Sequence, residues 1–466
     1  MTNMKKFNDL RVSYDTFIYD SYTIREDKDE VHVVYHFEIP GLGKFEPSWR
    51  FPKGEHKIKE LTQNGTFLEM VFSLGMVELI SYWKMACSPN VVVNAGELND
   101  DQIRWWKELY YLGLGEFFYT NGIDTTMEDF MKIDCKAIIE QKYDTFTLKD
   151  NSGCLVPIGG GKDSVVSLEL LKSAGENIKC FIINPRGATL KTVQVGGFMD
   201  SLLVAKRTLD RNMIELNRRG FLNGHTPYSA IVAFSATITA YLAGLKYISL
   251  SNEASANEST VKGSDVNHQY SKSFKFEEDF HKYEETYIKS GTYYFSLLRP
   301  LSEFQIAAYF SKCTQYHSIF RSCNVGSKED KWCGHCPKCL FVFLILSPFL
   351  PHRRLCEIFG ADMLNDETMI ETLDKLIGRV EEKPFECVGS REEVNTAICL
   401  AIKNWTKNAK DKEDVKLPKL FSYYTTTEEY KNYYNSSCHF FEEFDDNNLL
   451  PEKFEKLVRK MAEELK

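Results

Sequence analysis

The hexapeptide Gly159-Gly160-Gly161-Lys162-Asp163-Ser164 joins a short apolar run, Leu155 to Ile158, to a helical pattern that begins at Val165. Glycines between a strand and a helix let several backbone N–H groups point into one concavity, and the positive end of the helix dipole adds to them. Such a turn binds anions. Lys162 supplies a positive charge, and Asp163 supplies the carboxylate oxygen that a hard cation bridging phosphates prefers. The turn has neither the G-x-x-x-x-G-K-[ST] spacing of a Walker loop nor the G-x-G-x-x-G of a dinucleotide fold.

A second cluster, Cys323, Cys333, Cys336 and Cys339, is spaced C-x9-C-x2-C-x2-C. Two-residue spacings let thiolates converge on one tetrahedral ion, and four of them close a structural zinc shell. His335 could replace one thiolate, and free cysteines in a turn are the plainer reading. Redox chemistry lacks a thioredoxin-like context here.

Further candidates sit in loops. Asn184 ends the apolar run KCFIIN, and Asn252 and Glu253 follow KYISLS, where they could reach nucleotide, magnesium or substrate. In VNHQYSKS, His268 offers a base, with Tyr270 and Lys272 beside it, and Lys272 is a cation for an anionic substrate. Arg299, before Pro300, is a phosphate or carboxylate ligand or the partner of a nearby acid. Cys387 in KPFECVG precedes Ser390 and Glu393, which form a capping box. Its loop therefore ends at a helix start, which can lower a thiol's pKa; a buried core cysteine is the plain alternative.

The elements that must position these groups divide the chain into four. Residues 1–148 mix strand and helix patterns and read as an α+β domain, with a strand at Val31–Ile39, a core helix at Phe67–Ala86 and a helix at Asp101–Tyr119. Residues 149–320 alternate strands and helices, the pattern of an α/β parallel sheet with helices on both faces. Its pieces are CLVPI, a helix from Ser164, KCFIIN, a helix over Met199–Thr208, a strand at Met213–Leu216, a long helix in TPYSAIVAFSATITAYLAGL, and KYISLS. The glycine turn, Asn184 and Ser251–Glu253 then fall at carboxyl ends of strands, where such sheets bind ligands. Residues 321–405 hold the cysteine cluster and are helical; 406–466 form a polar, acidic, tyrosine-rich tail.

Composition bounds the rest. The 466 residues are 43% hydrophobic and 26% charged, the balance of an ordinary globular protein. A net charge of −9 is a poor start for binding nucleic acid, so no nucleic-acid partner is expected. Glu69, Glu78 and Lys84 make Phe67–Ala86 costly in lipid, so no membrane partner is expected either. Thirteen cysteines in a chain with no apparent secretory signal suggest reduced thiols in a cytoplasm.

GGGKDS resembles the SGGxDS signature of the PP-loop ATP pyrophosphatases, with Gly159 in place of the usual serine. The resemblance implies a PP-loop fold that splits ATP to AMP and diphosphate and adenylates a substrate oxygen. Gly159, Gly160, Gly161, Lys162 and Ser164 would hold the phosphates, and Asp163 would carry Mg²⁺. Longer strings, in order, are SLGMVELISYWKMACSP, VPIGGGKDSVVSLEL, SNEASANE, VNHQYSKSFKFE, LLRPLSEFQIA, WCGHCPKCLFVFLILSPFL and KPFECVG. From about Phe37 to Ala401 they resemble the UDP-N-acetyl-α-D-muramoyl-L-alanyl-L-glutamate epimerase (MurL) family. This resemblance implies inversion of the terminal L-glutamate of a UDP-muramoyl dipeptide through an acyl-adenylate, in peptidoglycan precursor synthesis. ATP, Mg²⁺ and a structural Zn²⁺ are the cofactors implied. Adenylation makes the α-proton removable, because a carbanion beside a free carboxylate would put two charges on one group; Cys387 and His268 are the expected proton-transfer groups. Two rival readings are a PP-loop enzyme adenylating a nucleobase or tRNA, and a non-catalytic ATP- and zinc-binding regulator. The acidic balance opposes the first, and the intact Lys162 and Asp163 oppose the second.

Overall fold

The structure is a computed structural model that describes residues 3–137, 143–148, 152–264, 266–407 and 416–466. Among these, strands Cys154–Pro157, Ile178–Ile183, Leu202–Thr208, Tyr247–Leu250 and Tyr293–Ser296 pair in parallel. Their spatial order is fifth, fourth, first, second, third. The order reverses between Cys154–Pro157 and Tyr247–Leu250, and a crevice opens at the carboxyl ends of that pair. Alternation along the strands feeds two cores. Leu155, Phe181, Ile248 and Tyr294 face helices Gly65–Trp83 and Tyr228–Leu242. Val156, Cys180, Ile182 and Phe295 face helices Lys162–Ser173, Glu303–Lys312 and Pro337–Leu346.

One stretch corrects the sequence reading. Met199–Ser201 is a single 3₁₀ turn, and Leu202–Thr208, expected as helix, is the third parallel strand. Residues expected as a strand, Met213–Leu216, lie in helix Arg211–Arg218. The strand was hidden because Lys206 and Arg207 break its apolar pattern, yet both are engaged, Lys206 by Glu30 and Arg207 by Glu78. Met213 and Leu216, three apart, form the one buried stripe of the helix, which Asp210 caps at Asn212 N.

The sheet does not stop at this strand. Ser48–Pro52 pairs antiparallel to it, with Trp49 opposite Arg207, and the ladder continues through Glu30–Ile39, Thr16–Asp27, Asn90–Val93 and Lys132–Cys135. Residues on both sides of the 148/149 boundary therefore share one sheet; residue 149 itself lies outside the described residues. The segment expected as a polar tail is folded from residue 416 on. Helices Lys419–Tyr424 and Glu452–Glu463 bring Phe421, Tyr424, Phe454, Val458 and Met461 into the second core, and Phe454 stacks on Phe295 at 5.0 Å. Helix Gly65–Trp83 is long and apolar enough to cross a membrane by composition, but 83% of it is buried inside the protein.

The two halves of the sheet are locked by a buried ion pair. Glu78 is fully buried on helix Gly65–Trp83 and accepts from Arg207 Nη2 at 2.7 Å, Arg207 Nε at 3.0 Å and Trp49 Nε1 at 3.1 Å. Asn184 clips the same strand, accepting from Arg207 N at 2.9 Å and donating to Arg207 O at 2.8 Å. Removing one partner of such a pair strands a buried charge, which costs about 3–5 kcal/mol. Glu78→Ala is therefore expected to lower unfolding stability by about that amount, and Glu78→Gln by less, in denaturant titrations; a neutral Glu78→Ala would contradict the joint.

Candidate active site

A cavity of about 560 Å³ occupies the crevice, lined on the sheet side by Gly159, Gly161, Asp163, Ser251 and Asn252. Its volume is in the range of small-molecule sites. Gly160 has φ +82°, and a Cβ there would lie 3.1 Å from both Ala188 Cβ and Thr189 N, so this corner of the turn needs glycine. Gly161 begins helix Lys162–Ser173 with no side-chain cap, and Ser164 Oγ donates back to Gly161 O at 3.1 Å. Among the described residues no N-cap side chain takes the first-turn N–H groups.

Lys162 lies beneath this turn, buried, with its ammonium donating to Asp163 Oδ1 and Glu303 Oε2. Burial alone would lower its pKa, but Asp163 and Glu303 hold it above the ordinary lysine value. Asp163, Glu253 and Glu303 bring one carboxylate oxygen each within 4.8 Å of one another. Burial raises the Glu303 pKa; Lys162 opposes this, and Asp163 and Glu253 add to it. Lys162 pairs with two of these acids, and Lys338 and Lys272 also act on Asp163; three convergent carboxylate oxygens are a donor set that suits a divalent cation.

A different chemistry gathers at the far side of the same cavity. Cys387 Sγ lies 3.2 Å from Lys272 Nζ and hydrogen-bonds the His268 imidazole. Burial would push the thiol up; Lys272, the His268 hydrogen bond and Lys338 outweigh it and bring the thiol down to about 5. His268 in turn is bound by Glu116 at Nδ1. Burial lowers its pKa, but Cys387 and Glu116 raise it to about 9. The ground state is thus a thiolate–imidazolium pair oriented by a carboxylate. Glu116 Oε2 also takes His225 Nδ1 at 3.2 Å, with the two imidazole centroids 4.5 Å apart. Burial first, and then the nearby charges of His268, Lys84 and Lys272, push His225 down to about 3, so it stays neutral.

Of the other expected residues Asn252 lines the cavity, while Arg299, Asn184 and Tyr270 stand behind it. Arg299 is fully buried and pairs with Glu277 at 2.9 Å, while its Nη1 donates to Glu253 O at 2.6 Å and Nη2 to Lys272 O. It braces the two backbones that carry Glu253 and Lys272. Asn252 lines the cavity and donates to Ser296 Oγ at 3.0 Å; Tyr270 is buried outside the lining. Asn184 stands outside the lining, engaged by strand Leu202–Thr208. The capping box forms, with Ser390 N donating to Glu393 Oε2 at 2.7 Å and Glu393 N to Ser390 Oγ at 3.2 Å. The low Cys387 pKa comes from its cationic neighbours.

The four cysteine sulfurs converge. Cys323–Cys336 and Cys333–Cys339 Sγ atoms are 3.7 Å apart, and Cys336–Cys339 3.4 Å. Bonds of 2.3 Å to a tetrahedral zinc put sulfurs about 3.8 Å apart, so the thiol set fits that ion. His335 turns away, its Nδ1 2.8 Å from Cys333 O, and is exposed. The knuckle is also a wall of the cavity, since Arg321, Cys323 and Lys338 line it. Lys338, between two of the cysteines, donates to the Cys387 carbonyl.

Glu116, His225, Glu303 and Lys338 escaped the sequence reading as site residues. Glu303 lies in the quoted string LLRPLSEFQIA and Lys338 in CPKC, so both had a signal; Glu116 had none, because only the fold brings its helix to the crevice. Ser251 Oγ, Gln269 Oε1 and Arg321 Nε belong to cavity-lining residues and are buried without a hydrogen-bond partner among the described residues, as polar groups awaiting a ligand would be.

Comparison with known proteins follows the same geometry. Residues 8–297 match the family model "MurL N-terminal domain" and residues 315–417 the model "MurL C-terminal domain". Curated proteins named UDP-N-acetyl-alpha-D-muramoyl-L-alanyl-L-glutamate epimerase are similar. That of Xanthomonas oryzae pv. oryzae is 36% identical over 72% of this chain and 75% of its own length. That of Micromonospora sp. is 36% identical over 72% and 74%, and that of Salinispora tropica 35% over 78% and 83%. No solved structure matches the chain. With both family models matched and a third or more of residues identical across most of each relative, the chain belongs to the MurL epimerase family.

Proposed function

We propose that this protein inverts the terminal L-glutamate of UDP-N-acetylmuramoyl-L-alanyl-L-glutamate to D-glutamate, at the expense of ATP, in peptidoglycan precursor synthesis. The supporting observation is that one cavity is lined by a glycine turn with Asp163 at one end and by Cys387, His268 and Lys272 at the other, with Glu253 and Glu303 buried behind Asp163 and Glu116 behind His268. The relatives' printed name specifies the substrate and the inversion.

In this reading the glycine turn and the start of helix Lys162–Ser173 hold phosphates, and Lys162 fixes Asp163 and Glu303 in place. Asp163, Glu253 and Glu303 would hold Mg²⁺, which neutralises the charge on the diphosphate as it leaves. Lys272, Arg321 and Lys338 give the cavity local positive charge for a multiply anionic substrate, despite the chain's net −9. The α-carboxylate attacks the α-phosphorus, diphosphate departs, and the acyl-adenylate carries an acidified α-proton. Cys387 and His268 stand where that proton is exchanged, as one hydrogen-bonded unit. Thirteen cysteines, none bonded to another, suit a reducing cytoplasm. Cys323, Cys333, Cys336 and Cys339 would hold a structural zinc, their four sulfurs leaving no position for water.

The protein with ATP, Mg²⁺ and the L-glutamyl muramoyl dipeptide should release diphosphate, while free glutamate or tRNA in place of the dipeptide should not. Asp163→Asn is expected to keep the fold and lower dipeptide-dependent ATP–diphosphate exchange by about 10²-fold or more. Exchange at the wild-type rate would remove Asp163 from the site. Elemental analysis should find one zinc per chain, and Cys336→Ser should lose it together with thermal stability. A zinc-free wild type, or an equally stable Cys336→Ser, would refute the zinc site.

A further inference from the structure

Two groups that trade a proton across a stereocentre must stand on opposite faces of the carbon. Cys387 and His268 do not, because they hydrogen-bond each other and so meet a bound acyl group from one side. Their order, Cys387 sulfur, His268 imidazole, Glu116 carboxylate, is that of a nucleophile, its base and the acid that orients the base. The Lys272 ammonium at 3.2 Å stabilises negative sulfur, and Lys338 pins the Cys387 carbonyl. Cys387, His268, Lys272 and Lys338 line the cavity whose other wall is the glycine turn, where an acyl-adenylate would form.

We propose that Cys387 is the acyl acceptor of this enzyme and that the glutamyl group is inverted as a thioester on its sulfur. The inference rests on the adenylating reading above. The thiolate attacks the carbonyl carbon of the acyl-adenylate; a carbon–sulfur bond forms as the carbon–oxygen bond to AMP breaks, and AMP leaves with that electron pair. No oxidant or reductant takes part. A thiolate with a pKa near 5 is a weak base for a carbon acid, yet sulfur stays nucleophilic. Acylation removes the anion that helps to hold the proton on His268. The imidazole then loses that proton to solvent and stands beside the thioester as a neutral base that takes the α-proton from its own face. Water entering the cavity from the other side returns a proton to the opposite face of the enolate. The imidazole, once it has given up its proton again, serves as base for the hydrolytic water. Attack of water on the thioester carbonyl expels the thiolate and frees the D-glutamyl product, so the sum is ATP plus water to AMP plus diphosphate.

The test follows each half of the reaction separately. Cys387→Ala, checked for an unchanged melting transition, is expected to keep ATP–diphosphate exchange within about 3-fold while AMP release and inversion fall by about 10³-fold or more. Acid quench of wild type during turnover, and of His268→Gln in which hydrolysis should stall, is expected to show one adduct. Its mass is that of the UDP-muramoyl dipeptide less one water, it maps to the peptide bearing Cys387, and neutral hydroxylamine removes it. AMP release at the wild-type rate from Cys387→Ala, or no adduct in either quenched protein, overturns the thioester and leaves adenylation standing. Absence of exchange in wild type overturns the adenylating reading itself. Cys387→Ser serves in the same assays if the alanine variant does not fold.

Discussion

The buried contact of Lys162 with Glu303 is the one on which the site depends most. It ties the glycine turn, through the first residue of its helix, to helix Glu303–Lys312 on the neighbouring side of the crevice. Glu303 N then donates to Glu393 Oε1 at 2.6 Å, and Glu393 caps Ser390, which ends the loop that presents Cys387. A short relay of hydrogen bonds thus runs from the glycine-turn end of the cavity to the thiol end. A buried ammonium is costly unless paired, and here it meets two carboxylates, so the geometry cannot relax without exposing charge to an apolar core. The two ends of the cavity are held in register by one ion cluster.

The cysteine knuckle extends that constraint. Its four sulfurs fix the segment from Cys323 to Cys339, and through it Arg321 and Lys338 as walls of the cavity. Lys338 reaches both ends electrostatically, lowering the pKa of Asp163 and of Cys387. The cysteine cluster therefore positions a charge felt at both ends of the cavity. The amino-terminal part contributes in the same indirect way. Its sheet is continuous with the parallel one through the Trp49–Arg207 pairing, and its helix Gly115–Thr120 delivers Glu116 to the two imidazoles.

The glycine turn, the cysteine tetrad and the strand–helix alternation were legible in the sequence because each is a local pattern with a local physical cause. The buried helix Gly65–Trp83 was legible for the same reason, its charges being too few for a surface and too many for lipid. The third parallel strand was not, since the partners of Lys206 and Arg207 lie about 130 to 180 residues away in the chain and the strand looks polar without them. The packed carboxyl-terminal helices were also missed, because their tyrosines and acids read as solvent-facing until Phe454 is seen against Phe295. Of the site, Cys387, His268 and Lys272 were visible as types, but not their convergence. Arg299 was legible as a charge beside an acid, and the fold makes it a brace.

The central claim is that ATP-driven activation makes one α-proton exchangeable at the thiol end of this cavity. It is tested most directly by running the reaction in D₂O with ATP, Mg²⁺ and the L-glutamyl muramoyl dipeptide, and reading the glutamyl α-carbon by mass spectrometry and NMR. The account predicts that D-glutamyl product carries one solvent deuterium at that carbon and that none forms when ATP is left out. D-glutamyl product with its original proton, or inversion that proceeds without ATP, would contradict it.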